Sequence, residues 1–356
     1  MSFVFIGTTG DHAGHSLLTW TMAQRLVEEG LTVGFIKPFG SHPIHAQGLW
    51  TDQDALLFKK VLKLCEPLDR LCPYPRSEGA WGKKSSDEIL NEIRSLVEEL
   101  SAKKDVLLIM GSEHIFFDDA SHGVSDILLA LNVEADFVLI DRFLKTQTSI
   151  YSILSASSLL KAKLKGIVLN RVQPDRLDMV RNEVIPSLAR QGIPITAPIP
   201  EDPLLSYRTL GEIRNILEGE FLWGGDDVER CVGGMTVGSH DLPDGLMLLK
   251  RVYNKIILLE PAPLENGADE APIRRAVTGI LLTGERRPAP QVLEAAKKAN
   301  IPLVLVRGDT FKAMERLEHA TPTLSPDDEA KMHLFTDLLD KEGDLDGLLK
   351  SLGLIT

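Results

Sequence analysis

Ten residues near the start, Gly7-Thr8-Thr9-Gly10-Asp11-His12-Ala13-Gly14-His15-Ser16, have the composition of a loop that can hold phosphate. Small residues let backbone N–H groups wrap phosphate oxygens, and a helix starting at the end of the loop adds a partial positive charge. A complete phosphate-binding loop also carries a Lys for the β- and γ-phosphates and a Ser or Thr for Mg²⁺. Gly14 and Ser16 stand in the required order, but His15 occupies the place of the Lys and Thr9 that of the first Gly. Thr9, Gly10, Gly14, His15 and Ser16 are therefore the candidate phosphate-binding residues, and Ser16 is also a candidate ligand for Mg. A fixed positive charge beside a transferring phosphoryl group stabilises the transition state, and a neutral imidazole does not replace it fully. A bound triphosphate could protonate His15 by raising its pKa. The competing reading is a tight strand-to-helix turn left over from an ancestral nucleotide site.

The elements around this loop alternate. Val4-Phe5-Ile6 is a short apolar strand, and Leu17 to Glu29 has helical periodicity with Gly30 as a stop. Leu31 to Ile36 is the next strand, closed by Lys37-Pro38. Asp52 to Leu64 and Ser86 to Ala102 read as helices, with a Pro-rich connection over Pro67 to Gly82. Val106-Leu107-Leu108-Ile109, Phe137-Val138-Leu139-Ile140 and Gly166-Ile167-Val168-Leu169 are continuous apolar runs. Such runs suit parallel strands buried on both faces. Ser149 to Leu160 and Met179 to Gln191 are further helices, and Ile195 to Ile199 one more strand. After Pro200-Glu201-Asp202-Pro203 the alternation restarts. Its helices are Thr209 to Leu217, Pro272 to Val277 and Pro290 to Asn300, and its strands Ile256 to Leu259, Gly279 to Leu282 and Leu303 to Val306. The pattern predicts an α/β fold in two parts: a mostly parallel sheet with helices on both faces over 1–200, and a smaller α/β domain over 204–320. Residues 321–356 read as a polar, partly helical tail that starts at Ser325-Pro326-Asp327-Asp328.

Composition narrows the function classes. Lys and Arg total 39 against 51 Asp and Glu, a formal net charge of −12 over 356 residues. Nucleic-acid binders need a basic surface to release counterions, so that partner is excluded. No segment approaches the apolar length of a membrane span, and the first residues lack the pattern of a signal peptide, so a cytoplasmic location is expected. Cys65, Cys72 and Cys231 lack the spacing of a zinc site or disulfide framework. Glu113-His114, Asp118-Asp119 and His122 are the one cluster with metal-ligand residue types, and a solvated loop is the plainer reading of it. Asp141-Arg142 ends a strand and either faces a ligand or forms a local ion pair. Trp20 reads as core, and Trp81 in its Pro- and Gly-rich connection as a partner surface.

Several segments resemble a known family in order and spacing. Gly34-Phe35-Ile36-Lys37-Pro38-Phe39-Gly40 resembles the Lys-Pro segment of dethiobiotin synthetases. Asp52 and Asp54 stand where that family has a metal-binding Asp, and Asn170-Arg171 resembles its base-recognition strand end. Pro198-Ile199-Pro200 resembles its next proline-bounded strand. Beyond residue 200, Thr209-Leu210-Gly211-Glu212-Ile213, Gly233-Gly234-Met235-Thr236 and Gly279 to Gly284 look like a DRTGG domain. The pair resembles the N-terminal half of long bacterial phosphotransacetylases, and it also occurs as a free-standing protein. The resemblance implies a P-loop NTPase-like fold and ATP or another adenine nucleotide with Mg. It places Ser16 and Asp54 on the metal, Asn170 near the base and Lys37, if the chain is an enzyme, on a substrate carboxylate. It also makes a homo-oligomer or a protein partner plausible.

The departures from those families are informative. The family's acidic residue after the strand at Val106 would fall near Met110-Gly111, and Met does not hold Mg²⁺. Glu113 stands three residues late. Glu260-Pro261-Ala262-Pro263-Leu264 replaces the Asp-Arg motif of the second domain. The acyltransferase domain would follow residue 320, so the chain is not expected to make acetyl phosphate itself. A regulatory or nucleotide-sensing protein without efficient ATP hydrolysis is the reading that accommodates these losses. The alternatives are an ATP-dependent carboxyl-activating ligase of the dethiobiotin or cobyrinic acid a,c-diamide type, and an interaction scaffold with vestigial sites.

Overall fold

In the computed structural model, residues 2–10, 12–76, 84–116, 123–237, 256–261, 277–284, 287–320 and 323–356 are described. They fall into two compact units, Met1–Asp202 with Thr323–Thr356, and Pro203–Pro322.

The first unit is built on a parallel sheet of six strands. These are β1 (Ser2–Thr8), β2 (Val33–Ile36), β7 (Val106–Met110), β8 (Asp136–Arg142), β9 (Leu164–Val172) and β10 (Ile195–Pro200). Short pairs β3 (Phe39–Gly40) with β6 (Tyr74–Pro75), and β4 (Pro43–Ala46) with β5 (Leu49–Asp52), lie between β2 and β7 in the chain. The order across the sheet is β10-β9-β8-β1-β7-β2. From β1 the chain continues toward β2, and from the adjacent β8 it continues the other way to β9. The carboxyl ends of such a strand pair open a crevice, the usual place for a ligand in this architecture.

Helices cover both faces because successive residues in the middle of the strands are apolar and so need burial on both sides. Phe5, Leu107, Ile109, Leu139 and Ile167 join one core with residues of α4 (Ser86–Ser101), α5 (Asp126–Asn132) and α6 (Thr146–Leu160). Val4, Ile6, Leu108 and Val138 alternate with them and are equally buried. Helix α1 (His15–Glu28) packs on β1, β2 and β7. The helix Glu329–Glu342 lies along it, with Thr21 Oγ1 and Thr336 Oγ1 3.0 Å apart and Arg25 paired to Asp340 at 3.0 Å. The segment read as a polar tail is thus part of this unit. Met332, Phe335, Leu339, Leu345, Leu348 and Leu349 recur at helical spacing and are buried.

The second unit has a mixed sheet, ordered β11 (Arg208–Thr209), β13 (Cys231–Val237), β14 (Ile256–Pro261), β15 (Gly279–Thr283), β16 (Leu303–Val306) and β12 (Glu220–Trp223). Only β15 and β16 pair parallel among these strands. Leu210, Ile213, Leu281 and Val304 form a core on one face, and Ile280, Leu282, Val292 and Ala296 one on the other. The expected helix at 272–277 lies outside the described residues except for Val277, which is not helical. No helix among the described residues is long and apolar enough to cross a membrane.

Candidate functional site

Gly14 ends the β1–α1 loop in the left-handed region, at φ 98°. A side chain there would be strained, and its Cβ would stand 2.5 Å from Asn170 Nδ2. No described side chain caps the N-terminus of α1, and its first turn has no acidic residue. Asp52, Ser85 and Ser125 cap α2 (Gln53–Val61), α4 and α5. The first amides of α1 are thus left to backbone, water or an anion.

Beside this terminus lies a buried ionic cluster. Lys37 follows β2 and has no exposed surface, and Asp52 and Asp54 flank it. Lys37 Nζ donates to Asp54 Oδ2 at 2.6 Å and lies 3.0 Å from Asp52 Oδ1. Ser16 Oγ donates to Asp54 Oδ1 at 2.8 Å. The β4–β5 hairpin returns the chain so that Asp52 accepts from the backbone N–H of His42 at 2.8 Å and of Asp54 at 2.9 Å. Burial favours the neutral amine of Lys37, but Asp52 and Asp54 outweigh it and hold the pKa above its ordinary value. Burial would likewise raise Asp54, but Lys37 outweighs that and holds it below the usual carboxylate range. His15 is buried too, and burial lowers it to about 3 against the pull of Asp54; Lys37, His42 and His12 lower it further. It is therefore a neutral imidazole where a P-loop has an ammonium. Its Nε2 has no hydrogen-bond partner among the described residues.

The other strand ends complete the crevice. Asn170, near the end of β9, donates from Nδ2 to Ala13 O at 2.7 Å, and its Oδ1 accepts from Arg171 N at 2.9 Å. Arg171 sits at φ 57° and bonds Glu201 through two nitrogens, at 3.1 and 2.7 Å. Thr9 donates to Asp141 Oδ2 at 2.5 Å, so Asp141 faces the loop. Burial raises the pKa of Asp141 against hydrogen bonds from Ser149 and Thr9. At the end of β7, where a family carboxylate was expected near Met110-Gly111, a carboxyl arrives from another element. Asp126 of α5 accepts from Ser112 N at 2.8 Å, and a Cβ on Gly111 would meet its Oδ2 at 2.4 Å. Burial pushes Asp126 up to about 7, against the Ser112 bonds and the charge of Lys37.

The structure thus brings Ser16, Lys37 and Asp54 together directly, and joins Asn170 to the loop at Ala13. Gly10 lies in the same loop, where its carbonyl accepts from Thr8 Oγ1 at 2.8 Å. Glu113 lies 3.3 Å from His42 Nε2. Asp11, Trp81, Asp118, Asp119 and His122 lie outside the described residues. Asp126 and His42 escaped sequence reasoning, because nothing in their local pattern distinguishes a helix-start Asp or a loop His from a surface residue. The oxygens that would take Mg²⁺ are already engaged: Asp54 accepts from Ser16 and from Lys37, and Asp52 lies beside the same ammonium. Among the described residues no group of three His, Cys, Asp or Glu could hold a metal. Mg²⁺ sites are built on one or two free carboxylates, and Asp54, bonded to Ser16 through one oxygen and to Lys37 through the other, does not present one.

Comparison with known proteins agrees with this architecture. The chain is 24% identical to the phosphate acetyltransferase of Pseudomonas aeruginosa over 99% of this chain and 52% of the relative. It is 21% identical to that of Synechocystis, again over 99% of this chain and 52% of the relative. The chain therefore spans about half the length of the curated relatives it matches. Over 50% of the chain and 83% of the relative, it is 24% identical to the ATP-dependent dethiobiotin synthetase BioD of Ruthia magnifica. Among solved structures, the MinC:MinD cell division complex of Aquifex aeolicus aligns with 58% of this chain and 84% of that one, at 17% identity and a TM-score of 0.38. Residues 3–209 match the AAA domain family model and residues 212–320 that of the DRTGG domain. The chain belongs to the AAA domain family, and its AAA domain is followed by a DRTGG domain.

Proposed function

We propose that the β1–α1 loop binds the phosphate of an adenine nucleotide, and that the chain is a nucleotide-sensing regulatory protein rather than an efficient ATP-hydrolysing enzyme. The observation that carries this reading is the N-terminus of α1, uncapped by any described side chain and closed by Gly14 at φ 98°, at the carboxyl edge of the parallel sheet. Weak hydrolysis follows from His15, whose buried neutral ring supplies no fixed charge to a transferring phosphoryl group. The ligase alternative is disfavoured because the ammonium of Lys37 is engaged by two carboxylates rather than free for a substrate. The chain's similarity to phosphate acetyltransferases supports a regulatory place beside such an enzyme's chemistry. A ligand would act by shifting the populations of pre-existing conformations.

Thermal melting of the purified chain with ATP, ADP, AMP and a diadenosine polyphosphate tests this. A ligand that binds only the folded state raises Tm by mass action. We expect a rise with at least one adenine nucleotide that is lost in Ser16→Ala. A rise unchanged in Ser16→Ala would move the site away from this loop, and no rise with any of them would favour a scaffold.

A further inference from the structure

We infer that Lys37 is the resident cation of this loop in place of Mg²⁺, so that the loop takes a nucleotide of low phosphate charge, a nucleoside monophosphate, rather than a metal-bound triphosphate. The choice of nucleotide rests on the phosphate-binding reading above; the exclusion of the metal does not.

Three observations support it. Lys37 Nζ lies within 3.0 Å of a carboxylate oxygen of both Asp52 and Asp54, with no part of its side chain exposed. Ser16, the hydroxyl that a P-loop offers to a metal, donates to the remaining Asp54 oxygen at 2.8 Å. A divalent ion on Asp54 would have to compete with an ammonium that has no exposed surface. Buried charges persist when they are paired and hydrogen-bonded, as these are. The charge balance then selects the ligand. One ammonium against two carboxylates leaves this cluster with a net negative charge. Among these described groups, the positive potential offered to phosphate is the fractional charge of the α1 N-terminus. A metal-free triphosphate brings about four negative charges to that point, whereas a monophosphate brings at most two.

Two titrations of the full chain separate the metal from the nucleotide. In the first, Mn²⁺ alone is added and free Mn²⁺ is followed by electron paramagnetic resonance. The wild-type chain should take up none into the millimolar range, whereas Lys37→Met, with its carboxylates released, should take up one ion. Uptake by the wild-type chain that is abolished in Asp54→Asn would overturn the inference. If Lys37→Met does not fold, the wild-type and Asp54→Asn arms still decide. In the second, AMP, ADP and ATP are titrated calorimetrically with Mg²⁺ or with a chelator. AMP should bind with a Kd unchanged within about twofold between the two conditions, and ATP at least tenfold more weakly. Tenfold tighter ATP binding with Mg²⁺ would overturn the inference. Absence of binding by all three would overturn the phosphate-binding reading and the ligand choice, and Mn²⁺ exclusion would still establish Lys37 as the cation.

Discussion

Asp126 shows how one residue's environment becomes a measurable property. Its carboxyl is buried at the end of β7 and its pKa is pushed up to about 7. A carboxyl with a raised pKa holds more protons in the folded than in the unfolded chain between about pH 4 and 7. Its contribution to stability is therefore fully present below pH 4 and is lost as pH rises through 7. In Asp126→Asn that loss disappears. Denaturant unfolding should show the variant gaining on the wild type from pH 4 to 7, by on the order of 4 kcal/mol, and levelling above. A constant difference at all pH values would mean that the carboxyl is not desolvated. No sequence pattern announces this residue. The short helix Asp126–Asn132 has no distinctive local pattern, and the fold alone carries Asp126 to Gly111. Ser16 stands out from the chemistry of its loop, and Lys37, Asp54 and Asn170 from an order and spacing that resemble a family. That Lys37 and Asp54 bond each other does not stand out, since it depends on where α2 begins.

At the scale of elements, the β4–β5 hairpin sets that beginning. Gln47 and Gly48 both have positive φ, 53° and 80°, as a two-residue turn with the twist of paired strands requires. Gln-Gly is a weak form of the Asn-Gly signal, so the hairpin is easily read as loop. It returns the chain to Asp52, which caps α2 and fixes Asp54 beside Lys37. The continuous apolar strands, by contrast, stand out in any sequence. Gly166 on β9 is a second element-level device. A Cβ there would come within 2.4 Å of Leu348 Cδ1 and 2.6 Å of Thr196 Oγ1. Overpacking of this kind typically costs about 1–3 kcal/mol. Gly166→Ala should lower the denaturation midpoint accordingly while the nucleotide response of the loop is retained. An unchanged midpoint would show that helix Leu345–Ser351 can shift freely.

At the scale of the whole molecule, Thr323–Thr356 closes the first unit. Six buried apolar side chains, Met332, Phe335, Leu339, Leu345, Leu348 and Leu349, lie on its two helices. At roughly 1.5 kcal/mol or more each, their burial is comparable to the entire stability of a domain, roughly 5–15 kcal/mol. A chain cut after Pro322 should lose the cooperative melting of the first unit, which circular dichroism would report. A truncated chain that melts at the wild-type temperature would show these helices to be accessory. The sequence alone determined the alternation of strands and helices, the glycine-bounded loop with His15 in place of a lysine, and the acidic balance of 39 basic against 51 acidic side chains. Those properties are local or additive, so a linear reading captures them. Tertiary structure decided that a polar-looking tail is core, that Asp126 stands over the end of β7, and that Lys37 bonds Asp54, the carboxylate expected to await a metal. None of these is a local property: the paired residues lie 315 apart for Thr21 and Thr336, 17 for Lys37 and Asp54 and 14 for Ser112 and Asp126, and only the packing of strands, hairpin and helices brings them within bonding distance.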